Sequence, residues 1–352
     1  MTVPESLILR RPDDWHVHLR DGAMLRGVVD YTARQFGRAI VMPNLVPPVT
    51  TAAAAAAYRD RIMAALAPGA VFTPLMTCYL TDDADPDEIE RGFASGAWAA
   101  CKLYPAHATT NAHHGVTDIR HIYPALERME KIGMPLLLHG EVTDHDIDIF
   151  DREAVFIERI FTKVMADFPG LRAVFEHITT ADAVAFVEGA GDNVAATITA
   201  HHLRINRNAM FDGGMRPHAY CLPVAKRERH RLELRRAATS GNPKFFLGTD
   251  SAPHAISDKE SACGCAGIFN APVAIESYAT VFEEEGALDR LEAFAAEHGP
   301  RFYGLPLNQG RIVIERAAWT VPREIAAADT RIVPFQAGTE LAWRYKGYAP
   351  HS

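Results

Sequence analysis

Short apolar runs rich in β-formers alternate along this chain with longer stretches of helical periodicity. The runs are SLILRRPDDWHVH (6–18), RAIVMPN (38–44), AVFTPLMTCYL (70–80), AWAACKLY (97–104), MPLLLHGEV (134–142), LRAVFEHI (171–178), NVAATITAHHL (193–203) and KFFLGTDSAPH (244–254). Helical patterns fill the gaps at 23–36, 51–66, 85–96, 118–133, 151–169, 180–191 and 223–241. Pro47-Pro48 precedes the second helix, and Thr180 with Asp182 opens the sixth, as start signals do.

Strands alternating with helices imply a parallel sheet with right-handed crossovers. Eight such units imply closure into a (β/α)8 TIM-type barrel of about 250 residues. The spacing therefore predicts one domain over 1–352, with a barrel across roughly 6–260 and additional C-terminal helices and an irregular tail over 261–352. The competing doubly wound open sheet lacks its phosphate-binding signature, since no G-x-G-x-x-G or G-x-x-x-x-G-K-[ST] follows the first strand.

Composition narrows the class. A net charge of −8, with 48% hydrophobic and 23% charged residues, fits a soluble globular protein and gives no surface for nucleic acid. The densest basic cluster, KRERHRLELRR (226–236), has mixed signs and reads as a solvated helix face. The N-terminal MTVPESLILRRPDD lacks the apolar core of a signal peptide, and no apolar run reaches membrane-spanning length. Five cysteines, at 78, 101, 221, 263 and 265, form an odd, scattered set that suits a reducing cytoplasm. Cys263-Gly-Cys265 has no second pair nearby and reads as a free-thiol loop.

The chemistry lies at the strand ends. His16, His18 and Arg20 alternate along the first run, so an extended strand points all three to one face. Asn44, Lys102, His139, His177 and Asp250 end the second, fourth, fifth, sixth and eighth runs. Each alone has a bland reading: a lone histidine such as His230 or His298 sits at a surface or a helix end, an aspartate caps a turn, and a strand-end lysine reaches solvent. In a barrel, however, all of these positions converge on one mouth. Four imidazoles and a carboxylate suit zinc or another first-row divalent ion. An ammonium repels such ions, so Lys102 must be neutral or carboxylated by carbon dioxide to a carbamate, whose two oxygens can serve two metals. The residues thus point to a two-metal hydrolase.

With these residues in view, the chain resembles the dihydroorotase family, in its shorter bacterial-type branch of the amidohydrolases. The likeness runs through DDWHVHLRDG, VMPNLVPPV, CKLYPAHATTN, LLLHGEV, FEHITT, ITAHHL and FLGTDSAPH. It implies reversible hydrolysis of (S)-dihydroorotate to N-carbamoyl-L-aspartate in pyrimidine biosynthesis. It further implies two Zn2+ per subunit, one on His16, His18 and Asp250 and the other on His139 and His177. Carboxylated Lys102 and a hydroxide would bridge them, with Asp250 as general base and acid. Arg20, Asn44 and His254 would hold the substrate carboxylate, and main-chain groups around Leu222 and Ala266 would contact the substrate, as would His18 and His139. A homodimer is implied as well.

The stretch YPAHATTNAHHG (104–115) lacks apolar periodicity; by the same resemblance it is a lid, with Thr109 and Thr110 donating to the substrate. His113 and His114 lie on it, away from any strand end. His201 and His202 follow the seventh run and read as supporting or packing residues. Two other readings remain. A mononuclear zinc deaminase is suggested by His-Gly-Glu at 139–141 but has no use for Lys102, and a non-catalytic relative would have lost ligands that are all present here.

Overall fold

The computed structural model describes residues 4–349; the first three residues of the N-terminal stretch and the last three of the tail lie outside the described residues. Thirteen strands are found among them. β1 is Ser6–Arg10. The barrel strands are β2 (Asp14–Val17), β3 (Arg38–Val41), β4 (Thr73–Tyr79), β5 (Ala100–Leu103), β6 (Leu136–Leu138), β7 (Ala173–Phe175), β8 (Val194–Ile198) and β9 (Phe245–Leu247). They form one sheet in sequence order, each strand parallel to its neighbour. The ring closes just beyond β9: Val17 bridges Ser251, Asp250 N donates to His16 O (2.8 Å) and His18 N to Ser251 O (3.0 Å).

Alternation along the strands sorts the two apolar layers. Ile40, Met42, Ala100, Leu137, Val174, Ala195 and Phe246 fill the barrel with Trp15. Their neighbours Ala39, Val41, Cys101, Leu103, Leu136, Leu138, Ala173 and Phe175 pack outward against the helices. Counting two residues onward from the inner plug reaches Lys102 from Ala100, His139 from Leu137 and Glu176 from Val174, all buried. The plug is therefore the floor on which the polar mouth stands.

Helix starts follow local chemistry. Thr51 caps Ala52–Ala65 through Ala54 N, Asp85 caps Pro86–Ala94 through Asp87 N, and Thr180 caps Ala181–Gly189 through Ala183 N. The long fifth pattern is Arg152–Phe156, a π turn at Ile157–Phe161 and Thr162–Asp167.

Three expectations are corrected. The run 6–18 is two strands: β1 leaves the barrel and only β2 belongs to it, because Arg11-Pro12 breaks the extended pairing. The seventh run ends as a strand at Ile198, and Thr199 caps a short helix, Ala200–Arg204, that carries His201 and His202. The tail is not irregular. β10 (Arg311–Thr320) and β13 (Glu340–Tyr348) join β1 in a three-stranded antiparallel sheet, and β11 (Ile325–Ala327) pairs with β12 (Thr330–Ile332). The period-2 signal is plain in hindsight: Ile312 and Ile314, then Leu341 and Trp343, are buried while their neighbours are not. The C-terminal helices are present, at Ala274–Glu284, Leu291–Ala296 and His298–Tyr303.

Candidate metal centre and substrate pocket

Lys102 lies within β5, and His139, His177 and Asp250 lie one, two and three residues past β6, β7 and β9. His16 lies in β2 and His18 one residue beyond it. The structure brings them together. His16 Nε2 and His18 Nε2 are 3.3 Å apart, with Asp250 Oδ1 at 3.3 and 3.1 Å from them. The rings of His16 and His177 are 5.0 Å apart centre to centre, and those of His139 and His177 are 4.9 Å apart.

Two backbone choices aim these groups. His177 (φ 42°) and Asp250 (φ 45°) adopt left-handed conformations, as does Arg20 (φ 58°). Such conformations cost a non-glycine residue on the order of 1 kcal/mol or more and persist only where the surroundings impose them. Here Thr197 Oγ1 accepts from His177 N (2.7 Å), and the ring-closing bond to His16 O holds Asp250. Arg20 departs from the expected alternation: it lies beyond β2, and its left-handed backbone turns its guanidinium to the loop after β9.

The tautomers show what the cluster needs. His18 Nδ1 meets the Asn44 carbonyl oxygen at 3.0 Å and must donate to it, which leaves a lone pair on Nε2. His16 Nδ1 lies 3.0 Å from Glu176 Oε1, which leaves its Nε2 in the same state when neutral. Two lone pairs and a carboxylate oxygen then face one another, an arrangement that calls for a cation. Burial opposes charge on His16, yet the Glu176 and Asp250 carboxylates outweigh it and push its pKa up to about 9. Burial pulls His18 down to about 4 and His177 well below the usual range, so both present the neutral imidazole a metal requires. Against the cost of burial, His16 and His18 hold Asp250 well below the usual carboxylate range. His139 Nε2 is taken by Glu141 (2.9 Å), which leaves Nδ1 for the mouth.

Lys102 is fully buried, its ammonium against Glu176 Oε2 and 4.8 Å from the Tyr104 ring centre. Burial lowers its pKa, and Glu176 opposes the shift. The donor set accordingly fits divalent metal: His16, His18 and Asp250 on one side, His139 and His177 on the other, Lys102 between the strands that carry them.

Above this floor sits a tight pocket lined by Arg20, Asn44, Thr109, Thr110, Leu222, Ala266 and all the metal-type ligands but Lys102. Arg20 Nε donates to Pro253 O (3.0 Å), and its Nη2 lies 2.9 Å from His254 Nε2, which also lies 2.9 Å from Ala266 O. His254 Nε2 cannot accept from Arg20 and donate to Ala266 at once, so these contacts compete. The 105–115 loop closes over the pocket: Asn44 Nδ2 donates to Thr110 O (3.0 Å), Asn111 Nδ2 to Asn44 O (3.1 Å) and Thr110 Oγ1 to Ala266 O (3.4 Å). Thr109 lines the pocket, whereas His113 and His114 meet each other, rings tilted by 49°, at the exposed face of the loop.

A model of the amidohydrolase family matches residues 7–330. The dihydroorotase of Novosphingobium aromaticivorans is 69% identical over 97% of this chain and 98% of its own, and that of Sphingopyxis alaskensis is 66% identical over 97% and 99%. The chain is a member of the dihydroorotases.

The crystal structure of yeast dihydroorotase in complex with 5-fluoroorotic acid superposes on this dihydroorotase-family chain with a TM-score of 0.91 at 34% identity, covering 99% of this chain and 100% of that one. Campylobacter jejuni dihydroorotase gives 0.90 at 35% identity, covering 98% and 99%. An L-hydantoinase from Arthrobacter aurescens, at 14% identity and a TM-score of 0.80, covering 98% of this chain and 84% of that one, shares the fold.

Sequence reasoning overlooked three groups that support the dihydroorotase site, Glu176, Asp14 and Asn270, and had named two more, His201 and His202, as supporting or packing residues. Glu176 touches both His16 and Lys102; its signal was its place two residues after Val174, on the inward face of β7. Asp14 accepts from Thr249 N and Oγ1 (2.8 and 2.6 Å) and so braces the approach to Asp250. Asn270 Nδ2 donates to His201 Nδ1 (2.9 Å) and Thr249 O (2.6 Å), which places His201 behind the same segment. His202 bonds Thr199 Oγ1 (2.9 Å) and Pro223 O (3.0 Å) and thereby braces the segment carrying Leu222. No short-range pattern announces Asp14, Asn270 or the two histidine partners, because each pair is distant in sequence.

Proposed function

We propose that this chain catalyses the reversible hydrolysis of (S)-dihydroorotate to N-carbamoyl-L-aspartate at the mouth of its barrel. One observation carries the reading: His16, His18, His139, His177 and Asp250 line one buried pocket with Arg20, and Lys102, fully buried, meets Glu176, which also meets His16. Two zinc ions held by these residues, with Lys102 carboxylated between them, would supply the Lewis acidity that activates water and polarises the amide carbonyl.

The protein's own groups supply the rest. Asp250, kept ionised by His16 and His18, is the base that accepts a proton from the attacking water. The same carboxyl then returns that proton to the ring nitrogen as the amide C–N bond breaks, and the water's second proton leaves as the new carboxylic acid ionises. Arg20 offers a fork to the substrate carboxylate, with Asn44 and His254 beside it. Main-chain groups at Leu222 and Ala266 complete the contact, and the 105–115 loop, through Thr109 and Thr110, excludes bulk water. Burial makes the Lys102 amine easier to deprotonate, which favours the form that reacts with carbon dioxide.

The same reading takes residues 1–352 as one hydrolase domain, since β1, from the start of the chain, is a strand of the C-terminal sheet. A cytoplasmic location is consistent with five free cysteines and with no described helix long and apolar enough to cross a membrane. A homodimer rests on family resemblance.

The test is direct. Purified protein is incubated with dihydroorotate, carbamoyl aspartate is measured, and bound metal is counted. Turnover with two metals per chain, lost together in Lys102→Ala, is the expected result. A metal-loaded protein that neither opens dihydroorotate nor closes carbamoyl aspartate sinks the reading.

A further inference from the structure

Lys259 is nearly fully buried, 3% exposed, and belongs to none of the groups described above. It ends the short helix Ile256–Lys259 in the loop after β9. Its ammonium donates to three main-chain carbonyls: Tyr220 O at 2.8 Å, Cys265 O at 2.7 Å and Gly267 O at 2.8 Å. Three N–H bonds meet three acceptors, so the side chain is fully used and nothing else can take its place without loss.

Those carbonyls come from two irregular segments separated by more than forty residues of chain. One precedes Leu222; the other brackets Ala266, and Leu222, Ala266 and Gly267 all line the substrate pocket. A single direct main-chain bond, Gly267 N to Tyr220 O at 3.1 Å, also joins the segments. Gly267 runs so close to the pocket floor, at φ +151°, that a Cβ there would sit 2.7 Å from Ala252 O. Neither segment belongs to a strand or helix that would fix it. The cation is the clasp.

We propose that Lys259 is a positioning residue for substrate binding, its ammonium holding the 220–222 and 265–267 segments in register so that their main-chain groups meet the substrate together. The proposal rests on the reading of Leu222 and Ala266 as substrate contacts. It assigns Lys259 no part in the chemistry at Asp250.

Loss of the charge has a defined consequence. A neutral amine keeps two N–H bonds and turns a lone pair toward the third carbonyl, so the clasp loosens on deprotonation. Burial pushes the Lys259 pKa down to about 8, Cys221 and Cys265 oppose the shift, and Arg20 adds to it. The groups facing it are those two thiols, the Tyr220 ring, the Arg20 guanidinium and His254, whose own pKa Lys259 helps to lower. On its own helix Asp258 is exposed, just past it Glu260 meets His218 Nε2 at 2.9 Å, and on β12, packed beside that helix, Arg331 pairs outward with Glu324.

Steady-state hydrolysis of dihydroorotate by the metal-loaded wild type and by Lys259→Met is compared from about pH 6.5 to about pH 9.5. At neutral pH the variant is expected to raise KM about tenfold, equivalent to roughly 1.4 kcal/mol of binding, with kcat and metal content kept. Wild-type KM is expected to rise through pH 8, and the variant's KM to lack that rise. An unchanged KM in a folded variant, or a fall in kcat at constant KM, overturns the proposal. Should the variant fail to fold, the wild-type profile decides, because a flat KM through pH 8 is equally fatal. A wild type without dihydroorotate turnover defeats the functional reading itself; an active wild type with an indifferent variant defeats only the role of Lys259.

Discussion

Glu176 Oε1 lies 3.0 Å from His16 Nδ1, while the opposite nitrogen of the same ring faces His18 and Asp250. One carboxylate thus places its charge against an imidazole whose other face is offered to the mouth. Its second oxygen rests on Lys102. Glu176 is the joint between the two halves of the site.

Glu176→Gln should therefore weaken metal binding without unfolding the barrel. Losing the partner of a ligating histidine costs about 10- to 100-fold in affinity. Competition with a chelator of known affinity measures it. An unchanged metal affinity removes Glu176 from this role.

Asp250→Asn preserves shape and removes the base. Turnover should fall by about 10²- to 10⁴-fold, the span of general acid–base contributions. The melting temperature should hold or rise, because burial of the charge is costly and the left-handed φ suits asparagine equally well. Retained turnover refutes the assignment.

Arg20→Lys replaces a fork with a point charge. KM should rise about tenfold with kcat less affected, since the carboxylate anchor acts before and during reaction alike. The loss also frees His254 Nε2 from its contest, so His254 should bond Ala266 O alone; a shift of the His254 ring resonance reports it. Wild-type KM in the variant places the anchor elsewhere.

Gly140→Ala tests packing between two functional residues. A Cβ there would sit 2.0 Å from Phe175 Cε2, and Gly140 separates His139 from Glu141. Relief requires moving either the outer packing layer or His139, at a cost of roughly 1–3 kcal/mol. Thermal denaturation should show the loss, accompanied by reduced metal content. A variant as stable as the wild type contradicts the packing.

Much of this was legible from local pattern. Lys102, His139 and Glu176 each sit two residues beyond an apolar residue of the barrel interior, so strand periodicity alone aims them at the mouth. The barrel itself follows from alternating runs, since parallel strands joined by helices have few ways to close. Alternation misled at other places. Arg20 lies past its strand, and His177, next in sequence to an inward Glu176, reaches the same site by a left-handed turn. The strands at 311–348 went unread although Ile312, Ile314, Leu341 and Trp343 alternate with exposed neighbours; β10 pairs on one side with β1, some three hundred residues away, and on the other with β13.

The sequence by itself determined that Lys102 and His139 face the rim, because a period of two and a barrel's polarity convert strand position into direction. Only the tertiary structure decided which nitrogen each imidazole presents, that Glu176 links His16 to Lys102, and that Lys259 clasps two loops. Those relationships depend on contacts between segments far apart along the chain, and no local periodicity encodes a distance across a cavity.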